Sequence, residues 1–399
     1  MKKASSSWNT GKVLLFLSIF LPPFILVSPA QNPYGQFKYG PPKDENFFPI
    51  CVWLQNPNHA EEYKRIGFNI YVGLWRGPTE EQLIALKKTG MYLICKQNEI
   101  GLKHIDDSTI IGWMHDDEPD NAQRLPQGNG YAPPIAPEKI IEDYKQLRQR
   151  DPSRPVLLNL GQGVAWDNWV GRGVRKNHPE DYSEYVKGCD IVSFDIYPAT
   201  HSSPEVAGKL WFIAGGVQRL TNWTKNEKIV WNCIECTQIS NPMRKPTPHE
   251  VRCEVWMSLI HGSRGLIYFV HQWQPKFIEA GLLADKEMTG AVSNINHQIH
   301  ELAPVINSPS VTQIVELEYK PEDATVSFMA KRKDGFIYIF AVSMRNAESH
   351  ATFRIKKLKN SEAEVFKENR KIIVKNGEFS DNFNSWDVHI YKIKEQPDQ

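Results

Sequence analysis

The feature that most constrains the fold of this chain is a regular alternation of short β-rich runs with segments of helical length. From Phe47 to Leu302 this alternation repeats eight times. Such a pattern is typical of parallel βα units rather than of a hairpin protein. Eight units close a (β/α)8 barrel, which takes about 250 residues. We therefore predict an α/β fold of the TIM-barrel type.

The barrel strands are predicted from their apolar, β-branched composition. They are Phe47–Leu54, Phe68–Leu74, Met91–Lys96, Ile110–His115, Pro155–Leu160, Ile191–Tyr197, Ile229–Cys236 and Gly265–Val270.

Local signals mark several of the helices between these strands. Thr79 with Gln82, and Thr247 with Glu250, have the spacing of a capping box, and Pro137 is suited to the first turn of a helix. Predicted helices are Ala60–Ile66, Thr79–Thr89, Pro137–Asp151, Thr247–His261 and Met288–Leu302, of which the first two end before Gly67 and Gly90.

The pattern changes near Ala303-Pro304, where alternating strands follow one another without helices. Turn sequences such as Lys333-Asp334-Gly335 and Lys375-Asn376-Gly377 join them. We predict a barrel over residues 31–303 and a small antiparallel β-sandwich domain over 304–399. Its predicted strands are Thr325–Ala330, Phe336–Ser343, Ala351–Ile355, Ile372–Val374 and Trp386–Ile393.

The first thirty residues have the pattern of a signal peptide. Three lysines precede an apolar run from Val13 to Val27, and Ser28-Pro29-Ala30 supplies the small residues of a cleavage site. The run is shorter than the ~20 residues of a membrane span and contains Pro22-Pro23, so an uncleaved anchor is the weaker alternative. We predict a secreted or periplasmic protein with no stable membrane span after cleavage.

Charge and cysteine content exclude some partners. A formal net charge of +1 gives no global attraction for nucleic acid, so no nucleic-acid partner is expected. Six cysteines in an exported chain permit disulfides, although four lie in apolar strand-like runs where a free thiol packs well. Cys233-x-x-Cys236 has no second ligand pair at the spacing of a zinc site, so no metal is expected.

Two glutamates stand where the chemistry of a barrel is placed, at the C-terminal ends of strands. The fourth predicted strand is followed by Asp117-Glu118-Pro119, and the seventh carries Glu235 near its end. These strands lie across the barrel from each other, so their carboxyl groups could flank one bond. Glycoside cleavage requires such a pair.

This arrangement resembles the retaining glycoside hydrolases of the large barrel clan known as clan A. The resemblance implies that Glu118 is the acid/base and Glu235 the nucleophile. It also implies that Tyr197 lies near the nucleophile and that Trp273 is the sugar platform. Asp117 stands where the clan usually has an asparagine that binds the 2-hydroxyl of the sugar.

Three further residues are candidates for substrate binding. Trp53 lies near the end of the first strand and is equally compatible with a platform or the core. Arg76 follows the second strand, where it could orient the nucleophile or remain solvated. Asp195 shares a face with Tyr197 under a period of two. The structural alternative for Glu235 is an ion pair with Arg76 or His271.

These observations predict an exported retaining glycoside hydrolase that cleaves β-linked oligo- or polysaccharides without a cofactor. One alternative is a catalytically inactive carbohydrate-binding barrel, which the aspartate at position 117 would allow. The other is a metal-dependent hydrolase that uses His115, Asp116 and Glu235. It is disfavoured because the first strand, Cys51-Val52-Trp53-Leu54, lacks the His-x-His pair that often begins such barrels.

Overall fold

A computed structural model describes residues 32–125, 127–169, 175 and 178–395. The predicted signal peptide lies outside these residues. The parallel strands are β1 (Ile50–Trp53), β2 (Ile70–Val72), β3 (Tyr92–Cys95), β4 (Ile110–Met114), β5 (Val156–Leu160), β6 (Ile191–Phe194), β7 (Ile229–Val230), β8 (Asn232–Glu235) and β9 (Leu266–Phe269).

These segments form one sheet in the order β7-β6-β5-β4-β3-β2-β1-β9-β8. Only Trp231 separates β7 from β8 along the chain. The pair therefore occupies a single barrel position, β7 bonded to β6 and β8 bonded to β9, and the sheet closes on itself. The predicted barrel is confirmed, with all eight strands present and each somewhat shorter than the sequence suggests.

The helices among the described residues lie mostly outside this barrel. They are α1 (Ala60–Arg65), α2 (Glu80–Thr89), α3 (Glu99–Lys103), α4 (Pro137–Arg150), α5 (Tyr182–Tyr185), α6 (Trp211–Trp223), α7 (Pro248–Ile260), α8 (Gly281–Ala284) and α9 (Lys286–Ile306). Both predicted capping boxes are present, at Thr79 and Thr247. No described helix is both long and apolar enough to cross a bilayer.

Helix α6 has no counterpart in the sequence prediction. It contains Gly215-Gly216, and glycine is a poor helix former. The structure gives a reason for one of them, because a Cβ atom at position 216 would lie 2.2 Å from the ring of Phe194. The close approach of α6 to β6 therefore requires glycine at this position. Because glycine has a low helix propensity, the same residue makes the helix difficult to predict from the sequence.

The C-terminal strands form two antiparallel sheets. They are β10 (Val315–Lys320), β11 (Val326–Lys333), β12 (Phe336–Ser343), β13 (Ser349–Ile355), β14 (Ser361–Val365), β15 (Arg370–Val374), β16 (Glu378–Phe383) and β17 (Val388–Lys394). The sheets have the orders β10-β13-β16 and β11-β12-β17-β14-β15. Apolar residues of both sheets share one core, so the predicted β-sandwich is confirmed.

Three strands of this domain, β10, β14 and β16, are absent from the sequence prediction. β10 and β16 are edge strands, and all three are short and rich in charged or polar residues. The predicted turns are present, since Asp334-Gly335 and Asn376-Gly377 have the positive φ angles of a two-residue hairpin turn. The domain packs on the barrel through Trp256 of α7, whose ring stacks on Phe340 of β12 at 5.3 Å.

A buried arginine joins two strand ends on the other side of the barrel from this contact. The fully buried Arg154 donates to the carbonyls of Ile110 at 2.6 Å and Asp107 at 2.8 Å. It also pairs with Asp151 at 2.8 Å, and Asp151 accepts from the indole of Trp113 at 2.9 Å. Burial of both charges is tolerated because each has its partners.

We expect Arg154→Met to lower the free energy of unfolding by about 3–5 kcal/mol, because it leaves the Asp151 carboxylate buried without its counter-charge. Denaturant unfolding measures this difference. The control Arg150→Met removes an exposed arginine from α4 and should change stability by less than about 0.5 kcal/mol. Equal effects of the two substitutions would contradict the role of the buried pair.

Candidate functional site

The turn after β4 places Glu118 at the C-terminal mouth of the barrel. Glu118 has a φ of 45°, an unfavourable angle for a residue of its size. Two backbone hydrogen bonds hold it there: its N–H donates to the carbonyl of Asn159 at 3.1 Å, and its carbonyl accepts from Asn121 at 3.1 Å. Backbone strain of this kind is characteristic of functional sites.

The carboxyl group of Glu118 lies against that of Asp195, which follows β6. Tyr197 donates its hydroxyl to Asp195 Oδ2 at 3.0 Å. Burial raises the pKa of Asp195 well above its usual value, and the charges of Glu118 and Asp117 raise it further. Two carboxyl groups in contact repel each other when both are ionised, so this environment favours the protonated form of Asp195.

Two further carboxylates flank this pair. Asp117 accepts from the amide of Asn159 at 2.9 Å, and Asp120 accepts from the hydroxyl of Tyr182 at 2.9 Å. Asp117 is exposed to solvent as a residue, although neighbouring protein groups closely surround its carboxyl group. Burial and the charge of Glu118 raise the pKa of each carboxyl to about 7.

Glu235 has a different environment. It is completely buried, and its carboxylate accepts from the backbone N–H groups of Ala199 at 2.6 Å and Thr200 at 2.9 Å. Burial raises its pKa to about 7, while these donors lower it. The carboxyl of Glu254 on α7 lies against it. With no exposed surface, Glu235 cannot contact a substrate in this conformation, and its predicted role as nucleophile stays a prediction.

An aromatic path leads from the carboxyl pair to the surface. Tyr197 packs on Phe269 at 5.2 Å, and Phe269 packs on His271 at 5.1 Å. His271 in turn lies against Trp273 and Phe277, whose rings are 4.9 Å apart. Trp273 is 50% exposed and Phe277 is 55% exposed. Exposed aromatic faces suit the apolar side of a sugar ring.

The other predicted binding residues lie outside this group. Trp53 is only 6% exposed and packs in the barrel interior, which favours its interpretation as a core residue. Arg76 is exposed and lies 5.8 Å from the ring of Trp75. The alternative ion pairs of Glu235 are not formed, because its partners are those given above and His271 contacts Gln55 at 3.1 Å.

The residues of the metal alternative are not brought together. His115 bonds to the carbonyl of Gly188 at 2.8 Å, and Asp116 forms an ion pair with Lys96. Within the described part of the chain, no three histidine, cysteine or acidic residues form a group suited to a metal ion. All six cysteines are buried free thiols, including Cys233 and Cys236.

Several members of the site were not predicted from the sequence. Asp120 follows Glu118 by two residues, so the rule that strand ends carry function could have found it. Asn159 lies on β5 on the same face as the predicted residues of its neighbours, which is a weaker signal. Tyr182 and Glu254 lie on helices distant in sequence from their partners, and no local pattern marks them.

Comparisons with known proteins bear on the fold. No family model and no curated protein matches this sequence. Solved structures do match, among them an α-amylase from Geobacillus thermoleovorans complexed with acarbose, with a TM-score of 0.52 and 10% identity over 88% of this chain and 99% of the amylase. A maltogenic α-amylase from Thermotoga neapolitana matches at 0.51 and 8% over 88% and 99%. A candidate α-galactosidase from Bacteroides fragilis matches at 0.52 and 9% over 88% and 80%. At these identities the likeness shows a shared fold.

We expect Glu118→Gln to lower the pKa of both Asp117 and Asp120 from about 7, because the charge of Glu118 contributes to each shift. Carbon-detected NMR of the aspartate carboxyls across a pH titration measures both midpoints. Glu364→Gln, an exposed change on β14, is the control and should move neither. Unchanged midpoints in Glu118→Gln would mean that burial alone raises these pKa values.

Proposed function

We propose that this protein is a glycoside hydrolase that acts at the C-terminal mouth of its barrel. The observation that carries the proposal is the Glu118–Asp195 carboxyl pair, which lies beside an aromatic path to an exposed platform. Glycosidases need one carboxylic acid to protonate the leaving oxygen and one carboxylate to attack or to activate water. Both forms are available in this pair.

The environment of each carboxyl suggests its role. The raised pKa of Asp195 makes it the better candidate for general acid, with Tyr197 placed to stabilise the carboxylate left after donation. Glu118 is then the attacking carboxylate. This assignment moves the acid from Glu118, where the resemblance puts it, to Asp195. Local charge and burial, rather than position along the strand, decide which carboxyl keeps its proton.

A retaining mechanism needs the two carboxyl groups about 5–5.5 Å apart. We propose that the bound sugar sets this separation by entering between them. In this scheme Glu235 does not contact the substrate. Its carboxylate accepts hydrogen bonds from the Ala199 and Thr200 backbone and so keeps that segment in place.

The substrate class follows from the sequence and the aromatic platform. We propose a β-linked oligo- or polysaccharide, bound with one ring stacked on Trp273 and its neighbour Phe277. No cofactor is required by this chemistry. Export to the periplasm or the medium remains a proposal that rests on the first thirty residues.

The first functional prediction distinguishes the roles of Asp195, Glu118 and Glu235 by comparing substrates that differ in their leaving group. Asp195→Asn should lose cleavage of natural glycosides but keep much of the cleavage of aryl glycosides with activated leaving groups, which need no proton donor. Glu118→Gln should lose both activities by about a thousandfold or more. Glu235→Gln should lower both activities in parallel. Steady-state kinetics on α- and β-aryl glycosides and on polysaccharides measure these losses.

Other outcomes would change the assigned roles, the proposed linkage or the proposed function. Sparing of activated substrates by Glu118→Gln would restore the acid role to Glu118. Complete loss in Glu235→Gln, with an unchanged fold by circular dichroism, would support Glu235 as nucleophile. Cleavage of α-glycosides alone would contradict the proposed linkage. Sugar binding without any cleavage would favour the inactive carbohydrate-binding barrel.

The second functional prediction concerns the platform. Trp273→Ala should weaken oligosaccharide binding by about 1–3 kcal/mol through lost stacking, and it should leave the melting temperature nearly unchanged because half of the side chain is exposed. Trp53→Ala is the contrasting variant, since loss of a buried tryptophan costs about 3–5 kcal/mol of stability. Isothermal titration and thermal melts measure the two effects. Unchanged affinity in Trp273→Ala would refute the platform.

A further inference from the structure

Helix α7 carries a glutamate in a place where an apolar residue is expected. Glu254 is completely buried in the middle of the helix, among Cys253, Val255 and Trp256. Neither of its carboxyl oxygens has a hydrogen-bond partner among the described residues. An isolated carboxylate in such a place is costly, so the group must be neutral or share a proton.

The partner that shares this proton is Glu235. The two carboxyl groups lie against each other, and the charge of Glu235 raises the pKa of Glu254, so the pair is favoured when one of the two groups is protonated. Glu235 already accepts from the N–H groups of Ala199 and Thr200, which favour its ionised form. The proton therefore belongs to Glu254.

The backbone at Ala199 and Thr200 is fixed from several directions by the segment that follows β8. Arg244 donates to the carbonyl of Ala199 at 2.7 Å. The hydroxyl of Ser240 donates to the carbonyl of Thr200 at 2.7 Å, and the N–H of Asn241 donates to it at 2.9 Å. Ala199 lies only two residues after Tyr197, whose hydroxyl donates to Asp195.

We infer that Glu254 is a positioning residue: protonated and buried in α7, it keeps Glu235 aligned on the Ala199–Thr200 backbone and so fixes the segment that carries Asp195 and Tyr197. The pairing of Glu254 with Glu235 does not depend on the proposed function, whereas its effect on catalysis rests on it.

The charged and titratable groups around the pair come from each neighbouring element. Glu250 on α7 and Arg244 form an ion pair with each other at the start of the helix. The Cys253 thiol on α7, the Cys236 thiol after β8 and the Tyr268 hydroxyl on β9 complete the surroundings. Burial raises the pKa of these two thiols and of Tyr268 well above their usual values, so they stay neutral at physiological pH.

The pair has a consequence for stability that needs no substrate. In the unfolded chain both glutamates have ordinary pKa values and are ionised above about pH 5.5. The folded state keeps one proton more, so its stability is greatest at acid pH and falls as the pH rises toward the pKa of the folded pair. For one proton, the folding equilibrium constant falls about tenfold per pH unit over this range.

The experiment compares Glu254→Gln and Glu254→Leu with the wild-type chain and with Glu287→Gln, which removes an exposed carboxyl from α9. In Glu254→Gln the amide still donates to Glu235 but cannot titrate. Between pH 5.5 and 7.5 the folding equilibrium constant of Glu254→Gln should fall less steeply than that of the wild type. The difference between the two slopes should be up to about tenfold per pH unit. Glu287→Gln should keep the wild-type slope.

Hydrogen exchange of the Ala199 and Thr200 amides tests the positioning role. Glu254→Gln should retain wild-type protection at these amides, whereas Glu254→Leu should exchange them about tenfold or more faster. If Glu254→Leu does not fold, Glu235→Gln replaces it, because its amide group can accept from only one of the two N–H groups through its single oxygen.

On a cleaved substrate, Glu254→Leu should lower kcat more than it raises KM, and Glu254→Gln should restore kcat. A wild-type pH slope in Glu254→Gln, or unchanged protection in both Glu254→Leu and Glu235→Gln, would overturn the inference. Since slope and exchange need no substrate, a failure to cleave any glycoside would overturn the proposed function and leave this inference standing.

Discussion

Closure of the barrel at the seventh strand is the constraint on which the rest of the structure depends. Trp231 separates β7 from β8, and its indole donates to the hydroxyl of Tyr34 at 2.9 Å. The neighbouring strand admits this ring only because position 265 is glycine, where a Cβ atom would lie 2.5 Å from the indole. Once the sheet is closed, all strands end at one mouth and their following loops must converge there.

The converging loops bring acidic side chains together, and among the described residues no basic side chain forms an ion pair with them. Asp117, Asp120 and Asp195 accept hydrogen bonds from neutral side chains, and burial raises the pKa of each of these carboxyl groups. Glu235 and Glu254 repeat the arrangement behind the mouth. The segment from Asp195 to Thr200 connects these two carboxyl pairs, since Asp195 belongs to the first and the Ala199 and Thr200 amides donate to Glu235 of the second.

Much of the fold could be predicted because its signals are local. Capping boxes, glycines after helices and hairpin turns are set by neighbouring residues, and all are present where the sequence places them. Helix α6 was missed because close packing against Phe194 requires a glycine there, and the edge strands β10 and β16 and the interior strand β14 were missed because each is short and rich in charged or polar residues. In the site, strand-end position placed Glu118, Asp195 and Tyr197 at the mouth, but it paired Glu118 with Glu235 and did not predict that Glu118 lies against Asp195.

The sequence by itself determined the parallel barrel, the appended sandwich and the strand ends that carry acidic residues, because periodicity and turn chemistry act over a few residues. Only the tertiary structure decided which carboxyls meet. Glu118 pairs with Asp195, whereas Glu235 turns to the Ala199–Thr200 backbone and to Glu254. Partners and burial are set by residues far apart along the chain, and these two quantities fix where a carboxyl group keeps its proton.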